Sequence, residues 1–267
     1  MKSLFLAVMV PVLAAILPGC GGGGGQPVVI TGPGFIGLDD TTASTAPLLT
    51  VAYRSPTKGS ATVSILSDLT SDGDIAFDPV LNVYTVTTGP PEVLFGEDSS
   101  AADLPEYRTF LTFPLDGFTG QPAVPGDAVI ISATLEVFVD QVDFASTIPA
   151  FLDLVQYPFR GLSAADFNTP VLTPTSFNSL DFFSTDQGHF VQIDVTPLMQ
   201  EAQVQALLDF QVRFLLQSLA TALYRGPSVG ASRSVQPSSR ALDKIQTDRG
   251  ASAAQPLTQG ALKSRRR

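Results

Sequence analysis

The sequence predicts an all-β protein: a single antiparallel β-sandwich of the jelly-roll type with one short helix. Between about residues 50 and 217, short runs that alternate apolar and polar residues are separated by Gly, Pro, Asp and Asn clusters. The 267 residues include 22 Gly and 21 Pro, and a hydrophobic content of 44% is enough to form a core. One Cys and one His exclude a disulfide framework and leave little material for zinc sites or Ser/His triads.

The clearest predicted strand is 131–140, where four apolar residues recur at every second position. Ala133, Leu135, Val137 and Val139 are expected to face the core, and the residues between them to face solvent. The same alternation predicts that Leu111 and its second neighbours face inward in another strand. The remaining predicted strands are 61–66, 83–88, 93–95, 109–115, 152–157, 190–195 and 210–215.

The segment 196–225 allows two interpretations. Thr196-Pro197 is typical of a helix start, and many helix formers follow, so local propensity alone allows one long helix. The alternation of Phe210, Val212 and Phe214 with polar or charged residues instead indicates a half-buried strand. We favour a short helix at about 197–207 followed by that strand, and the helical alternative for 208–225 stays open.

The N-terminus has the pattern of an export signal. Lys2 precedes an apolar run over 4–17, which is shorter than the roughly 20 residues that a membrane-spanning helix needs. The run ends in Leu17-Pro18-Gly19-Cys20, which resembles the lipobox of bacterial lipoproteins. The resemblance implies that 1–19 is a lipoprotein signal peptide and that Cys20 is lipidated and anchors the chain to a membrane. The alternative is an ordinary signal peptide with an incidental free thiol.

Composition divides the rest of the chain into three regions. Five glycines follow Cys20, and 20–49 is expected to be a flexible, Gly-rich tether that precedes a sandwich domain at 50–217. The first 217 residues contain 6 basic and 23 acidic residues, a net of −17, whereas the last 50 contain 9 basic and 2 acidic residues, a net of +7. The region 218–267 is basic and of low complexity, and it is expected to be disordered.

Three segments in order resemble the DNRLRE-type β-sandwich domains, a group similar to carbohydrate-binding modules. They are Arg108-Thr-Phe-Leu-Thr-Phe-Pro-Leu, Ile130-Ile-Ser-Ala-Thr-Leu-Glu-Val and Val191-Gln-Ile-Asp-Val-Thr, and the resemblance covers about 60–217. Pro114 stands where the family usually has Asp, there is no Trp, and the closing strand of the pattern is not recognisable after Arg213. The resemblance implies a non-catalytic sandwich that binds a glycan in the cell envelope.

Sugar binding without hydrolysis would use aromatic faces together with carboxylates and amides that bind hydroxyl groups. Without Trp, the candidate platforms are tyrosines, and most of the 18 Phe are expected to be in the core. For each Tyr, a boundary residue with its hydroxyl in water is the favoured interpretation. The candidate ligand-binding residues are Tyr84, Tyr107, Tyr157, Asp103 and Glu106, with Tyr53 as a further tyrosine of this kind.

Acidic residues raise two other possibilities. Asp103 and Glu106 could simply pair with Arg108, and a glycosidase would need two carboxylates facing each other in a cleft, which no spacing singles out. Asp68, Asp72 and Asp74 could supply oxygen ligands to a structural Ca²⁺, although their spacing does not match an EF-hand loop.

The remaining motifs give little chemistry. His189 could be a metal ligand or general base, oriented by Asp186, but a loop histidine is the favoured interpretation. The terminal arginines 265–267 could contact anionic lipid, nucleic acid or the acidic part of the chain, but a solvated terminus is favoured.

Together these patterns predict an exported lipoprotein anchored at the outer membrane or cell surface. We expect it to bind a polysaccharide or another envelope component without catalysis. We expect no cofactor beyond a possible structural Ca²⁺, and no nucleic-acid partner. The alternatives are a structural or adhesive protein that contacts other envelope proteins and, less favoured, a polysaccharide-degrading enzyme.

Overall fold

The computed structural model describes residues 30–172 and 177–217. The predicted signal peptide, Cys20, the five glycines and the basic tail from 218 lie outside these residues. Within them the chain forms twelve β-strands, one α-helix and two short 3₁₀ turns, at 164–168 and 184–186. No helix in these two ranges is long and apolar enough to cross a membrane.

The strands follow one another along the chain, and the helix is inserted before the last of them. In order they are β1 (Phe35–Asp39), β2 (Leu48–Ser55), β3 (Gly59–Leu66), β4 (Gly73–Asp78), β5 (Val83–Thr88), β6 (Glu92–Glu97), β7 (Glu106–Pro114), β8 (Val129–Asp143), β9 (Thr147–Leu154), β10 (Phe177–Phe183), β11 (His189–Asp194), α1 (Thr196–Val204) and β12 (Asp209–Leu216).

The strands pair antiparallel in two groups, which gives the predicted sandwich-like arrangement. One group runs β10-β9-β12-β7-β4-β5. The other centres on the long β8, which pairs with β11 along one edge and with β2 and then β1 along the other. Strand β6 pairs with β1 and also with β7 at Gly96 and Tyr107, so it joins the two groups.

The core lies between the inward faces of the two groups. In β8 the alternation is confirmed: Ala133, Leu135, Val137 and Val139 are buried, and the residues between them are half-buried or exposed. Side chains from β7, β9 and β12 pack against them from the other group. At the centre, the rings of Phe95 and Phe214 stack with their centroids 5.3 Å apart.

Strands β7 and β12 are buried on both faces, which period-two alternation alone does not predict. A smaller apolar cluster around Phe110, Tyr157 and Phe167 covers the outer face of this layer. Two buried arginines bind the covering segment to the sheet: Arg108 and Arg213 each donate through Nη1 to the Phe167 carbonyl oxygen, at 2.6 and 3.0 Å. The Phe167 carbonyl oxygen, which is removed from water, thereby accepts two hydrogen bonds.

The short-helix interpretation of 196–216 is confirmed, because α1 ends at Val204 and β12 begins at Asp209. The long-helix alternative is wrong over 209–216. The detail of the helix start differs from the expectation: Val195 occupies the N-cap position, and the Asp194 carboxylate accepts from the Thr196 amide at 2.9 Å.

The tether prediction for 20–49 is wrong from residue 35 onward. Strand β1 pairs with both β6 and β8, and Ile36 and Leu38 are fully buried in the core. Glycine and proline around a five-residue strand made this segment look like a spacer. A Cβ at Gly37 would lie 1.7 Å from Oε1 of Glu92, so a larger residue there would require the Glu92 side chain to move.

Besides β1, the strands β2, β4 and β10 were missed, and one strand was placed too far along the chain. Strand β4 begins within the Asp72-Gly73 pair, which is typical of a turn, and β10 was not recognised among the polar residues of 177–183. The predicted strand 152–157 is β9, which begins at Thr147 and ends at Leu154.

Candidate functional site

A groove of about 470 Å³ lies where β4 and β5 face β6, and it gathers several of the predicted site residues. We call it the acidic groove, because four carboxyl groups line it. Its lining is Asp74, Ala76, Asp78, Thr85, Thr87, Pro90, Glu92, Leu94, Asp103, Pro105 and Tyr107.

Strand alternation explains how these side chains meet. Asp74 pairs with Thr87 and Ala76 with Thr85 across β4 and β5, so carboxyl and hydroxyl groups share one face. The residues between them, such as Ile75 and Phe77, belong to the smaller apolar cluster on the opposite face. The same strand pair therefore closes a hydrophobic cluster with one face and lines a polar groove with the other.

Asp74 is the most buried carboxyl group of the groove, with 3% of its surface exposed. Burial raises its pKa to about 6, and repulsion from Glu92 adds to this, although the Leu94 amide and the Thr87 hydroxyl donate to it. Burial also raises the pKa of Glu92, with repulsion from Asp140 and Asp39. The two acids at the base of the groove are thus less acidic than ordinary surface carboxyls.

Tyr107 and Asp103 stand together at the rim. Tyr107 is half-buried, and Phe35 of β1 packs against its ring edge-to-face at 5.3 Å. Burial raises the pKa of the Tyr107 hydroxyl, and repulsion from Asp98, Asp74 and Asp103 raises it further. The groove therefore presents a neutral phenol hydroxyl beside carboxylates.

The other two candidate tyrosines do not face this groove. Tyr84 lies on the opposite face of β5, where its ring packs 4.8 Å from Phe77 and 5.1 Å from Phe167. Tyr157 is 5% exposed, and its hydroxyl and that of Thr112 are hydrogen-bonded at 2.7 Å. Tyr84 and Tyr157 are therefore not part of the acidic groove, because their rings pack in the smaller apolar cluster.

Glu106 is an ion-pair partner of Arg108, as one interpretation of the sequence allowed. Its Oε1 accepts from Nε of Arg108 at 2.6 Å, and the arginine is 3% exposed. The guanidinium also lies 3.8 Å from the centre of the Phe167 ring. Glu106 is thus engaged in holding the covering segment, and it does not line the groove.

The three aspartates proposed as calcium ligands do not form one site. The Asp68 carboxylate accepts hydrogen bonds from Thr70 and Ser71 and forms an ion pair with Arg160. Asp72 lies next to Asp40, and Asp74 lines the acidic groove. Across residues 30–172 and 177–217, no group of three or more His, Cys, Asp or Glu side chains is arranged to hold a metal ion. The predicted ligand set is therefore not assembled.

His189 is exposed at the start of β11. Its Nδ1 contacts the Gln187 carbonyl oxygen at 2.9 Å. The Asp186 carboxylate that could have oriented it accepts instead from the Phe183 amide at 2.8 Å.

A second groove of similar volume, about 480 Å³, lies between the chain after β9 and the turn from α1 to β12. Glutamine and apolar residues dominate its wall, and Asp209 is its single carboxyl group. It includes the candidate Tyr157 but none of the candidate acids, so the chemistry favours the acidic groove.

Sequence reasoning missed Glu92, Asp78, Thr85 and Thr87. For the two threonines a signal was present, because polar Thr alternates with apolar residues in the predicted strand 83–88. Nothing local pointed to Glu92, which reaches the groove only because β6 lies opposite β4.

Comparison of the chain with protein-family models, with curated proteins and with solved structures gives no match.

Proposed function

We propose that this chain is a lipid-anchored protein of the cell envelope whose β-sandwich binds a neutral or amine-bearing glycan in the acidic groove without cleaving it. The observation that supports binding is the convergence of four carboxyl groups, two threonine hydroxyls and Tyr107 in one groove of sugar size. The lipobox-like site at Cys20 and the resemblance to DNRLRE-type domains support the envelope location.

The groove offers the groups that sugar recognition uses. Carboxylates accept hydrogen bonds from adjacent hydroxyl groups, threonine hydroxyls both donate and accept, and the half-buried Tyr107 ring provides an apolar edge. Leu94, Pro90 and Pro105 add apolar wall.

Charge defines which glycans fit. The lining contains no Lys, Arg or His to compensate its acids. A uronate or a phosphorylated polymer would bring further negative charge against them, whereas a neutral hexose or an amino sugar would not.

Binding can be tested with a glycan array of neutral, amine-bearing and acidic polysaccharides on the full-length protein. We expect neutral or amine-bearing glycans to bind and acidic ones to be rejected. Tyr107→Ala and Asp103→Ala should each weaken the best ligand about tenfold or more, because each removes a contact worth roughly 1–3 kcal/mol.

Tyr84→Phe is the matched control, since Tyr84 lies on the opposite face of the same strand pair and should leave affinity within about twofold. Absence of any binder at millimolar ligand would contradict the proposal, as would a ligand whose affinity is the same in all three variants.

A polysaccharide hydrolase is the second candidate. Asp74, with its pKa raised to about 6, would suit a general acid, and other carboxyl groups share its groove. Release of reducing ends from a bound glycan, abolished by Asp74→Asn with binding retained, would favour the hydrolase over the binding module.

A further inference from the structure

Two buried carboxyl groups meet outside the acidic groove. Asp40 directly follows β1, and Asp72 ends the turn that precedes β4. They are 3% and 0% exposed, and their carboxyl groups lie within hydrogen-bonding reach of each other.

Each carboxyl group has one oxygen with a donor and one without. Oδ1 of Asp72 accepts from the Thr112 amide at 2.7 Å, and Oδ1 of Asp40 accepts from the Ser67 hydroxyl at 3.5 Å. Both Oδ2 atoms are buried and have no hydrogen-bond donor. An ionised carboxylate can only accept hydrogen bonds. If both groups were ionised, the two Oδ2 atoms would have no donor, and the two negative charges would repel each other.

The surroundings do not neutralise the pair. Asp39 and Asp68 repel Asp40, and Asp68 also repels Asp72. The charge of Asp72 also raises the pKa of the Tyr157 hydroxyl. Arg160, the cation that pairs with the neighbouring Asp68, is half-exposed. Neither Asp40 nor Asp72 takes part in an ion pair within the described ranges.

We propose that Asp40 and Asp72 share one proton, which forms a hydrogen bond between their two Oδ2 atoms and ties the end of β1 to the turn before β4. The proton lies on one carboxyl group and is donated to the other, so one negative charge is retained in place of two. The bond joins segments 32 residues apart in sequence. It satisfies both unpartnered oxygens with no atom that the chain does not itself supply.

The two pKa values agree with this arrangement. Burial raises the pKa of Asp40 to about 7 and that of Asp72 well above its ordinary value, with mutual repulsion contributing to Asp72. In the unfolded chain both acids ionise near pH 4. The folded state therefore holds more protons between pH 4 and about 7, and the stabilisation is lost as the pH rises through this window.

The experiment compares urea unfolding of the full-length protein and of Asp40→Asn and Asp72→Asn from pH 5 to pH 8. The asparagine amide donates permanently to the remaining carboxylate. For the wild type, one shared proton makes the unfolding constant rise by up to about tenfold per pH unit. Each variant should lose that part of the slope and be the more stable protein at pH 8.

Asp39→Asn is the control, because it removes a neighbouring charge and leaves the shared proton in place, so its slope should match the wild type. If the asparagine variants do not fold, carboxyl-carbon NMR of the wild type reports directly: loss of the shared proton should change the signals of both Asp40 and Asp72 with a midpoint above pH 6. Ionisation of both groups by pH 5 would overturn the proposal. So would stabilisation of the wild type, but not of the variants, by Ca²⁺ added after EDTA treatment, since a cation would then occupy the place of the proton.

Discussion

Arg213 shows how a single side chain secures the cover over the outer face of the sheet. Its Nη2 donates to Oδ2 of Asp153 at 2.7 Å, and its Nη1 donates to the carbonyl oxygens of Phe167 and Thr169. The two ion-pair side chains are 3% and 0% exposed. Because both charged groups are removed from water, each needs the other's opposite charge to offset its loss of hydration.

Replacing Arg213 should therefore be costly. We expect Arg213→Met to lower the free energy of unfolding by about 3–5 kcal/mol, because the buried carboxylate of Asp153 loses its guanidinium. Urea unfolding monitored by circular dichroism gives the value. The double variant Arg213→Met/Asp153→Leu should recover much of the loss, since it removes both charges.

Arg160→Met is the comparison for that measurement. Arg160 also pairs with an aspartate, Asp68, but its side chain is 51% exposed and the distance is 3.3 Å. Its loss should cost no more than about 1 kcal/mol. Equal effects of the two substitutions would show that burial of the Arg213 pair has no energetic role.

At the scale of the elements, β1 is the strand that completes the sandwich and supports the groove. It pairs with β6 and β8, and its Phe35 packs on the Tyr107 ring at the groove rim. Gly96 of β6 makes this pairing possible: its φ is +120°, and a Cβ there would lie 2.1 Å from the Gly34 carbonyl oxygen.

We expect Gly96→Ala to lower the free energy of unfolding by at least about 2 kcal/mol, because both backbone strain and a clash with the start of β1 must be relieved. The matched control is Gly126→Ala, where a Cβ meets nothing within 4 Å, and we expect a change within about 0.5 kcal/mol. Chemical denaturation of both variants checks this. If the two were equally tolerated, close packing of β1 on β6 would be refuted.

At the scale of the whole molecule, the charge distribution is compatible with the predicted N-terminal signal and lipid anchor. The first 217 residues, which begin with the apolar run and the lipobox-like Cys20, have a net charge of −17. Lipidation would hold an acidic domain near a membrane surface, where an excess of negative charge opposes non-specific binding to anionic lipid.

The predicted anchor is tested by the intact mass and detergent partitioning of the full-length protein beside Cys20→Ser. We expect a diacylglyceryl-sized mass gain and membrane partitioning in the wild type, and neither in the variant, because two acyl chains are enough for stable anchoring. An unmodified, water-soluble wild type would contradict lipidation and leave the groove's function to be tested in another location.

The sequence by itself determined the features that are local along the chain. The alternation in β8 predicted which side chains are buried, since neighbouring residues of a strand point to opposite faces. The same reasoning separated α1 from β12 despite good helix formers throughout 198–216. For the site, it singled out Tyr107, Asp103 and Asp74, although Asp74 was assigned to a calcium ion.

Only the tertiary structure decided which residues meet. Tyr84 and Tyr107 look alike in sequence, but their strands place them differently. Tyr84 of β5 packs against the smaller apolar cluster, and Tyr107 of β7 lines the groove. Asp40 and Asp72 come together because β1, read as a spacer, is a strand. These outcomes depend on pairing between strands that are distant in sequence, because the pairing decides which side chains share a face, which are buried and which charges become neighbours. Short-range periodicity contains no information about such partners.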